Sequence, residues 1–230
     1  MITLYQLATS PFTEKVRRAL AYKGLAYEVQ EVERGAVAEG KYAAVSPTGK
    51  FPAIDHDGHA VWDSTDILIY LDKTFEDRPL IPADIRDAGL AHAIEDWADE
   101  SLYFYEMTMR LAWEHNLEAA LDEFAVGMPG MSREQLRAAI LQGAGALTKT
   151  QGLGRKPVAQ VIADCQRHFA AIDAMLTGRD WLVGTSLSVA DLAVIAQVNA
   201  LLYAVEAREA LATTKNVTAW MERINAIAPK

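Results

Sequence analysis

Ser10-Pro11-Phe12-Thr13 stands between the apolar run Ile2-Thr3-Leu4-Tyr5-Gln6-Leu7 and the helix-like stretch from Glu14 to Leu20, so a hydroxyl falls at a strand-to-helix turn. The first turn of a helix carries backbone N–H groups without intrahelical partners, and the helix dipole adds partial positive charge, so an anion is favoured beside that oxygen. A second reading spends the same residues on structure: Ser10 caps the helix and Pro11 fills the first helical position, where its missing N–H costs nothing. Further along, Lys50-Phe51-Pro52-Ala53-Ile54 puts a proline at the entrance to a strand. A cis bond there would turn the Phe51 backbone outward, leaving its N–H and C=O to pair with an extended peptide. In Trp62-Asp63-Ser64-Thr65-Asp66-Ile67 an acid and a hydroxyl open an amphipathic stretch. Ser64 is the expected cap, the helix N-terminus suits a ligand carboxylate, and Asp63 suits a ligand ammonium.

The elements that must hold these residues follow from hydrophobic period and turn chemistry. A strand over 2–8, a helix over 11–23 stopped by Gly24, a strand over 27–33 and a helix over about 37–45 come first; the Phe51-Pro52 strand, a hairpin turning at Asp57-Gly58 and the Ser64 helix follow. That is a βαβ unit followed by ββα, the order of a thioredoxin-like fold. Prolines 79 and 82 punctuate a linker, beyond which the composition turns helical with no second set of β-rich runs. Helical patterns run over 85–114, 132–148, 158–176, 189–203 and 217–227. Ser132 with Gln135 and Ser188 with Asp191 have capping-box spacing.

Ser10-Pro11-Phe12, Lys50-Phe51-Pro52 and Asp63-Ser64, in this order and spacing, resemble the glutathione-binding domain of the soluble glutathione S-transferase superfamily, particularly its serine-type branches. Ser186-Leu187-Ser188-Val189-Ala190-Asp191 resembles the buried capping motif of that superfamily's helical domain. The resemblance implies an α+β chain: residues 1–78 a thioredoxin-like glutathione-binding domain, 79–86 a linker, 87–230 an all-helical domain. It implies glutathione as co-substrate, no metal, and a homodimer. Ser10 would stabilise the glutathione thiolate for attack on small apolar electrophiles, with hydroperoxide reduction as a side activity. Phe51 and Pro52 would present backbone to the cysteinyl unit, Lys50 would reach the glycyl carboxylate, and Asp63 with Ser64 would hold the γ-glutamyl end. Two positions depart from the family pattern, Phe51 replacing a smaller aliphatic and Asp63 replacing the longer Glu. Position 10 is Ser where thiol-dependent relatives carry Cys, so the reactive sulfur should be the ligand's. Tyr5 is a rival donor, since other branches use a tyrosine at the end of the first strand, but its place inside the strand favours packing.

The electrophile is expected against the helical domain, with Phe12, Tyr103, Phe104, Met107 and Trp113 as candidates, although aromatic and methionine stripes at helical spacing are commonly core. Glu95, Asp96, Asp99 and Glu100 near His92 invite a metal; carboxylates at i and i+4 are more often a solvated face, which is the reading adopted. His56, His59, His115 and His168 carry no motif. One cysteine among 230 residues excludes internal disulfides and a CxxC pair, and Cys165 falls on an apolar helix face. A net charge of −9, spread over both parts, argues against nucleic acid as partner. No apolar stretch approaches bilayer length and the N-terminus runs straight into a strand, so no membrane role and a cytoplasmic location are expected.

A second function class stays open, a glutathione-fold protein that binds the tripeptide or a protein partner without turnover. Its basis is the middle of the chain. Ala125-Val126-Gly127-Met128-Pro129-Gly130-Met131 interrupts the helical pattern, and Gly152-Leu153-Gly154-Arg155-Lys156-Pro157 forms a basic, glycine-rich loop. This layout is similar to the metaxin-like and Fax-like offshoots of the superfamily.

Overall fold

The computed structural model describes residues 1–128 and 130–230 of the chain; Pro129, in the middle segment singled out above, lies outside the described residues. Strand β1 (Ile2–Gln6) alternates buried and half-buried side chains, with Ile2, Leu4 and Gln6 facing inward, and the chain then turns through Ser10 into α1 (Pro11–Lys23). Strand β2 (Tyr27–Glu31) lies parallel to β1, whereas β3 (Ala53–His56) and β4 (His59–Trp62) form the hairpin at Asp57-Gly58 and add antiparallel. The sheet order is β2-β1-β3-β4, and α3 (Ser64–Thr74) follows it. This is the βαβ-ββα order read from the sequence.

Three boundaries differ from expectation. Strands β1 and β2 end two residues early, at Gln6 and Glu31. The helix expected over 37–45 is instead a five-residue turn, α2 (Arg34–Ala38). It buries no side chain and has no side-chain cap, and Gly40 at φ +80° breaks the helical path beyond it.

The second part is helical. A rod runs from α4 (Ile85–Trp97) through a wide π-turn at 98–102, α5 (Tyr103–Glu106) and a second π-turn at 107–112. Then come α6 (Glu114–Leu117), α7 (Leu121–Val126), α8 (Arg133–Gln151), α9 (Val158–Met175), α10 (Val189–Leu201), α11 (Val205–Ala212) and α12 (Val217–Ile227). The axis of the molecule is α10, in which 12 of 13 residues are buried. One continuous apolar core joins Leu4, Val16, Leu20, Ile54 and Leu68 of the first part to Leu102, Phe169, Leu192 and Trp220 of the second. A smaller core gathers Leu111, Leu117, Leu121 and Leu136, with Met107, Phe124 and Met128 packed against it. The unusual middle segment thus has a packing task.

The same holds for the basic loop. A Cβ on Gly154 would lie 2.7 Å from Thr148 Oγ1 and 2.9 Å from the Lys149 nitrogen, so only glycine lets this loop press against the end of α8. Lys156 donates to the buried Asp164 at 2.7 Å. Cys165 is buried beside it, and burial pushes its thiol up to about 12, which leaves it an inert, structural thiol. Among the described residues no helix is long and apolar enough to cross a membrane.

Candidate functional site

The turn carrying Ser10 is anchored from three sides. Ser10 N–H donates to the Leu7 carbonyl at 2.9 Å, and its own carbonyl accepts from Glu14 N–H at 3.0 Å, the first bond of α1. The Glu31 carboxylate, at the end of β2, accepts from Ala8 N–H at 2.9 Å and from the Gln6 amide at 3.1 Å. From the other side Arg110 Nη1 donates to the Thr9 carbonyl at 3.3 Å. Ser10 sits at the N-cap position with extended backbone and Pro11 behind it, yet its side chain makes no capping bond. The hydroxyl is not spent on the helix it precedes.

Tyr5, the rival donor, packs edge-on to Tyr42 with ring centroids 6.3 Å apart, in the small cluster of Val32, Tyr42, Phe51 and Ala53. The Phe51–Pro52 peptide bond is cis, and the Phe51 ring is buried against Tyr42 at 5.6 Å while the β3 ladder begins only at Ala53. Lys50 is exposed; its carbonyl accepts from Ser46 Oγ at 2.6 Å, which fixes the loop it rides on.

At the third motif the structure moves the cap by one residue. Asp63, not Ser64, caps α3: its carboxylate accepts from Thr65 N–H at 2.9 Å, and Ser64 is the first helical residue, buried at 5% exposure. Asp63 adopts φ +72°, a left-handed conformation that costs a non-glycine residue roughly 1–3 kcal/mol and is found mostly where function requires a side chain held in place.

Beside this cap lies a network that the sequence reading missed. Glu95 and Asp99 do not form a solvated face. They are buried, and Lys15 of α1, fully buried, donates to Glu95 at 2.6 Å and to Asp99 at 2.5 Å. Thr65 Oγ1 donates to the same Glu95 oxygen at 2.6 Å, which ties the start of α3 to α4. Two carboxylates share one ammonium here, so the cluster holds an excess negative charge. Burial raises the Asp99 carboxyl to about 6 against the pull of Lys15, and its second oxygen is buried without a partner among the described residues. Asp96 and Glu100 do face solvent. No group of three metal-ligating side chains occurs among the described residues. The sequence carried only the i, i+4 spacing of Glu95 and Asp99; α1 buries Glu14 and Arg18 as well as Lys15, so the lysine gave no separate signal.

Of the residues expected to touch an electrophile, the structure brings two together at the turn: Phe12 and Tyr103 pack with centroids 5.0 Å apart. Burial pushes the Tyr103 phenol up to about 12, with Glu106 adding to the rise, so it stays protonated. Phe104 touches Tyr103 and otherwise packs on the main core. Met107 belongs to the smaller core, and Trp113 stacks on His115 beyond the end of the rod. A narrow pocket at the turn is lined by Thr9, Ser10, Arg110, Tyr203 and Lys230 together with the acidic Glu14 and Glu123; Arg110 and Tyr203 were not anticipated.

Comparison with known proteins agrees with this architecture. Residues 4–79 match the family model for the glutathione S-transferase N-terminal domain, and residues 154–228 match that for the C-terminal domain. A 107-residue stretch, 46% of this chain and 47% of the relative, is 29% identical to glutathione S-transferase U7 of Arabidopsis thaliana. Over 92 residues, 38% of this chain and 42% of the relative, the chain is 32% identical to maleylacetoacetate isomerase of Dictyostelium discoideum. The chain thus spans about half the length of the curated relatives it matches. The solved structure of FzlA from C. crescentus superposes with a TM-score of 0.68 at 20% identity, over 98% of this chain and 88% of that one, a likeness of fold. A thioredoxin-like domain, an all-helical partner domain and both family matches together place the chain in the soluble glutathione S-transferase superfamily.

Proposed function

We propose that this chain is a serine-type glutathione transferase that ionises the thiol of bound glutathione at Ser10 and directs the thiolate at a small apolar electrophile. The observation that carries the reading is the Ser10 hydroxyl, held at the N-terminus of α1 and making no bond to that helix. Lowering a thiol pKa by about two units requires roughly 2.7 kcal/mol of preference for the thiolate. A hydrogen bond to a charged acceptor contributes about 1.5–3 kcal/mol and a helix N-terminus about 0.3–1, so hydroxyl and dipole together are of the required size. Ser10 donates to sulfur and does not attack, so no base is needed beside it.

The remaining roles follow from placement. Phe51 offers its backbone outside the β3 ladder to the cysteinyl unit, with Pro52 setting its direction, and exposed Lys50 meets the glycyl carboxylate. The first turn of α3, at Ser64, receives the γ-glutamyl carboxylate. Its ammonium is drawn by Asp63 and by the excess negative charge of the Lys15, Glu95 and Asp99 cluster. The electrophile rests on the Phe12 and Tyr103 rings. Glutathione is the co-substrate and no metal takes part. Residues 1–78 and 87–230 act as the two domains across the 79–86 linker, whose last residues already begin α4. A homodimer is part of this reading, and Ile85 and Leu90 leave apolar surface exposed on α4 for it.

The competing adaptor reading rested on the middle segment and the glycine-rich loop, both of which have packing tasks. The test is conjugation of glutathione to an aryl halide, together with calorimetric binding of glutathione. We expect turnover in the wild type, a fall in kcat/KM of about tenfold to a hundredfold in Ser10→Ala, matching one lost charge-assisted bond, and a change of less than about twofold in Tyr5→Phe. Glutathione binding without turnover would support the adaptor reading instead.

A further inference from the structure

Arg110 is an expensive residue for a helical rod. It is 2% exposed, in the π-turn that ends the rod, and among the described residues its one carboxylate partner is Glu106 at 3.0 Å. Tyr203 of the segment after α10 and Phe124 of α7 stack on its guanidinium, with centroids at 4.2 and 5.2 Å. An arginine that served only to glue these helices would be complete with the carboxylate and the two rings. This one instead reaches across to the first domain and donates to the carbonyl of Thr9, the residue before Ser10, and it lines the same narrow pocket as Ser10.

We infer that Arg110 is a positioning residue for the thiolate chemistry: its bond to the Thr9 carbonyl fixes the Thr9-Ser10 turn, and its guanidinium lies on the pocket that Ser10 lines. This rests on the reading of Ser10 given above. Three carboxylates neighbour Arg110: Glu106, and Glu123 and Glu14, which line the same pocket. Glu106 pairs with Arg110 at 3.0 Å and leaves its other oxygen buried without a partner among the described residues. Glu123 of α7 accepts from the Tyr203 hydroxyl at 2.5 Å. Glu14 of α1 is held by Arg18 at 2.8 Å, by Asn199 at 2.5 Å and by Lys230 at 3.1 Å. The two aromatic rings exclude water from the guanidinium, and a charge in such surroundings acts at longer range than one in water.

The test is the ultraviolet thiolate band of glutathione bound to wild type, Ser10→Ala, Arg110→Lys and Arg110→Met, titrated from pH 5 to 9, with glutathione affinity measured in parallel. In Arg110→Met the thiol pKa should rise by about one unit, a tenfold loss of thiolate at pH below the pKa, while affinity changes less than about threefold. Arg110→Lys keeps the charge but cannot both stack between two rings and reach Thr9, so it should fall between wild type and Met. If Arg110→Met does not fold, the Lys variant decides by itself, with a rise of about half a unit expected. An unchanged thiol pKa in whichever variant folds, or a loss of affinity with the pKa intact, overturns the inference. A wild type that leaves the thiol at its free pKa, or a Ser10→Ala titration identical to wild type, overturns the Ser10 reading itself, which separates the two failures.

Discussion

The serines at the N-cap positions of α1 and α10 have opposite fates. At the start of α10, Ser188 and Asp191 are buried and fully engaged: Asp191 accepts from Leu182 N–H at 2.9 Å, Ser188 N–H at 3.0 Å, Ser188 Oγ at 3.1 Å and the Trp220 indole at 2.8 Å. At the start of α1, Ser10 is half-buried and its hydroxyl caps nothing. The difference is set three residues on. Asp191 reaches back to the serine before its helix, whereas Thr13 occupies the equivalent place after Ser10 and is turned into the core. A reciprocal partner locks a serine into structure, and without one the Ser10 hydroxyl makes no bond to its helix.

That contrast can be pressed by mutation. The largest effect should come from the structural side: Asp191→Ala strips four donors of their acceptor inside the core and should cost about 4 kcal/mol in denaturant unfolding. Next comes the buried ion cluster that ties the two domains together behind the Asp63 cap. Lys15→Met leaves Glu95 and Asp99 buried without a cation and should cost about 3 kcal/mol, most of it recovered only when both Glu95→Gln and Asp99→Asn are added. Ser10→Ala should behave in reverse, lowering conjugation by about tenfold to a hundredfold while unfolding shifts by less than about 0.5 kcal/mol, because no capping bond is lost. A stability loss near 1 kcal/mol in that variant would show that Ser10 is a cap after all.

The smallest expected effect is a pH dependence. Asp99 has its carboxyl raised to about 6 in the folded chain, above its ordinary value near 3.8, so the folded state holds this proton more tightly than the unfolded state. The stability contributed by that protonation is complete below about pH 4 and is lost as pH rises through about 6. Asp99→Asn should therefore flatten the stability profile, removing about 1 kcal/mol of the wild type's decline between pH 5 and 7.5. An identical slope in both proteins would place the Asp99 carboxyl at an ordinary value.

The fold was legible because its signals are local. Alternation in β1, the Asp57-Gly58 turn, and the Ser132 and Ser188 capping boxes each act within a few residues, and the long periodic helices declared themselves by spacing. Short elements did not: α2 has no buried face, and α11 is too brief to show a period. Ser10, Phe51-Pro52 and Asp63-Ser64 are candidates from motif alone, and the cap at α3 belongs to Asp63 where the motif pointed to Ser64. The charged groups were misread for a physical reason. Whether Glu95 and Asp99 face solvent or a lysine depends on how α1 meets α4, a contact between residues 80 and 84 positions apart. Arg110 is similar, since its tie to Thr9 spans 101 residues and leaves no periodic trace.

The central claim is that the Ser10 hydroxyl is reserved for sulfur, and one paired measurement on Ser10→Ala addresses it: unfolding free energy in urea, and the thiolate absorbance of bound glutathione at pH 7. The account predicts unchanged stability together with a thiolate signal reduced at least severalfold. Reduced stability with an intact thiolate signal would contradict it and make Ser10 a structural cap like Ser188.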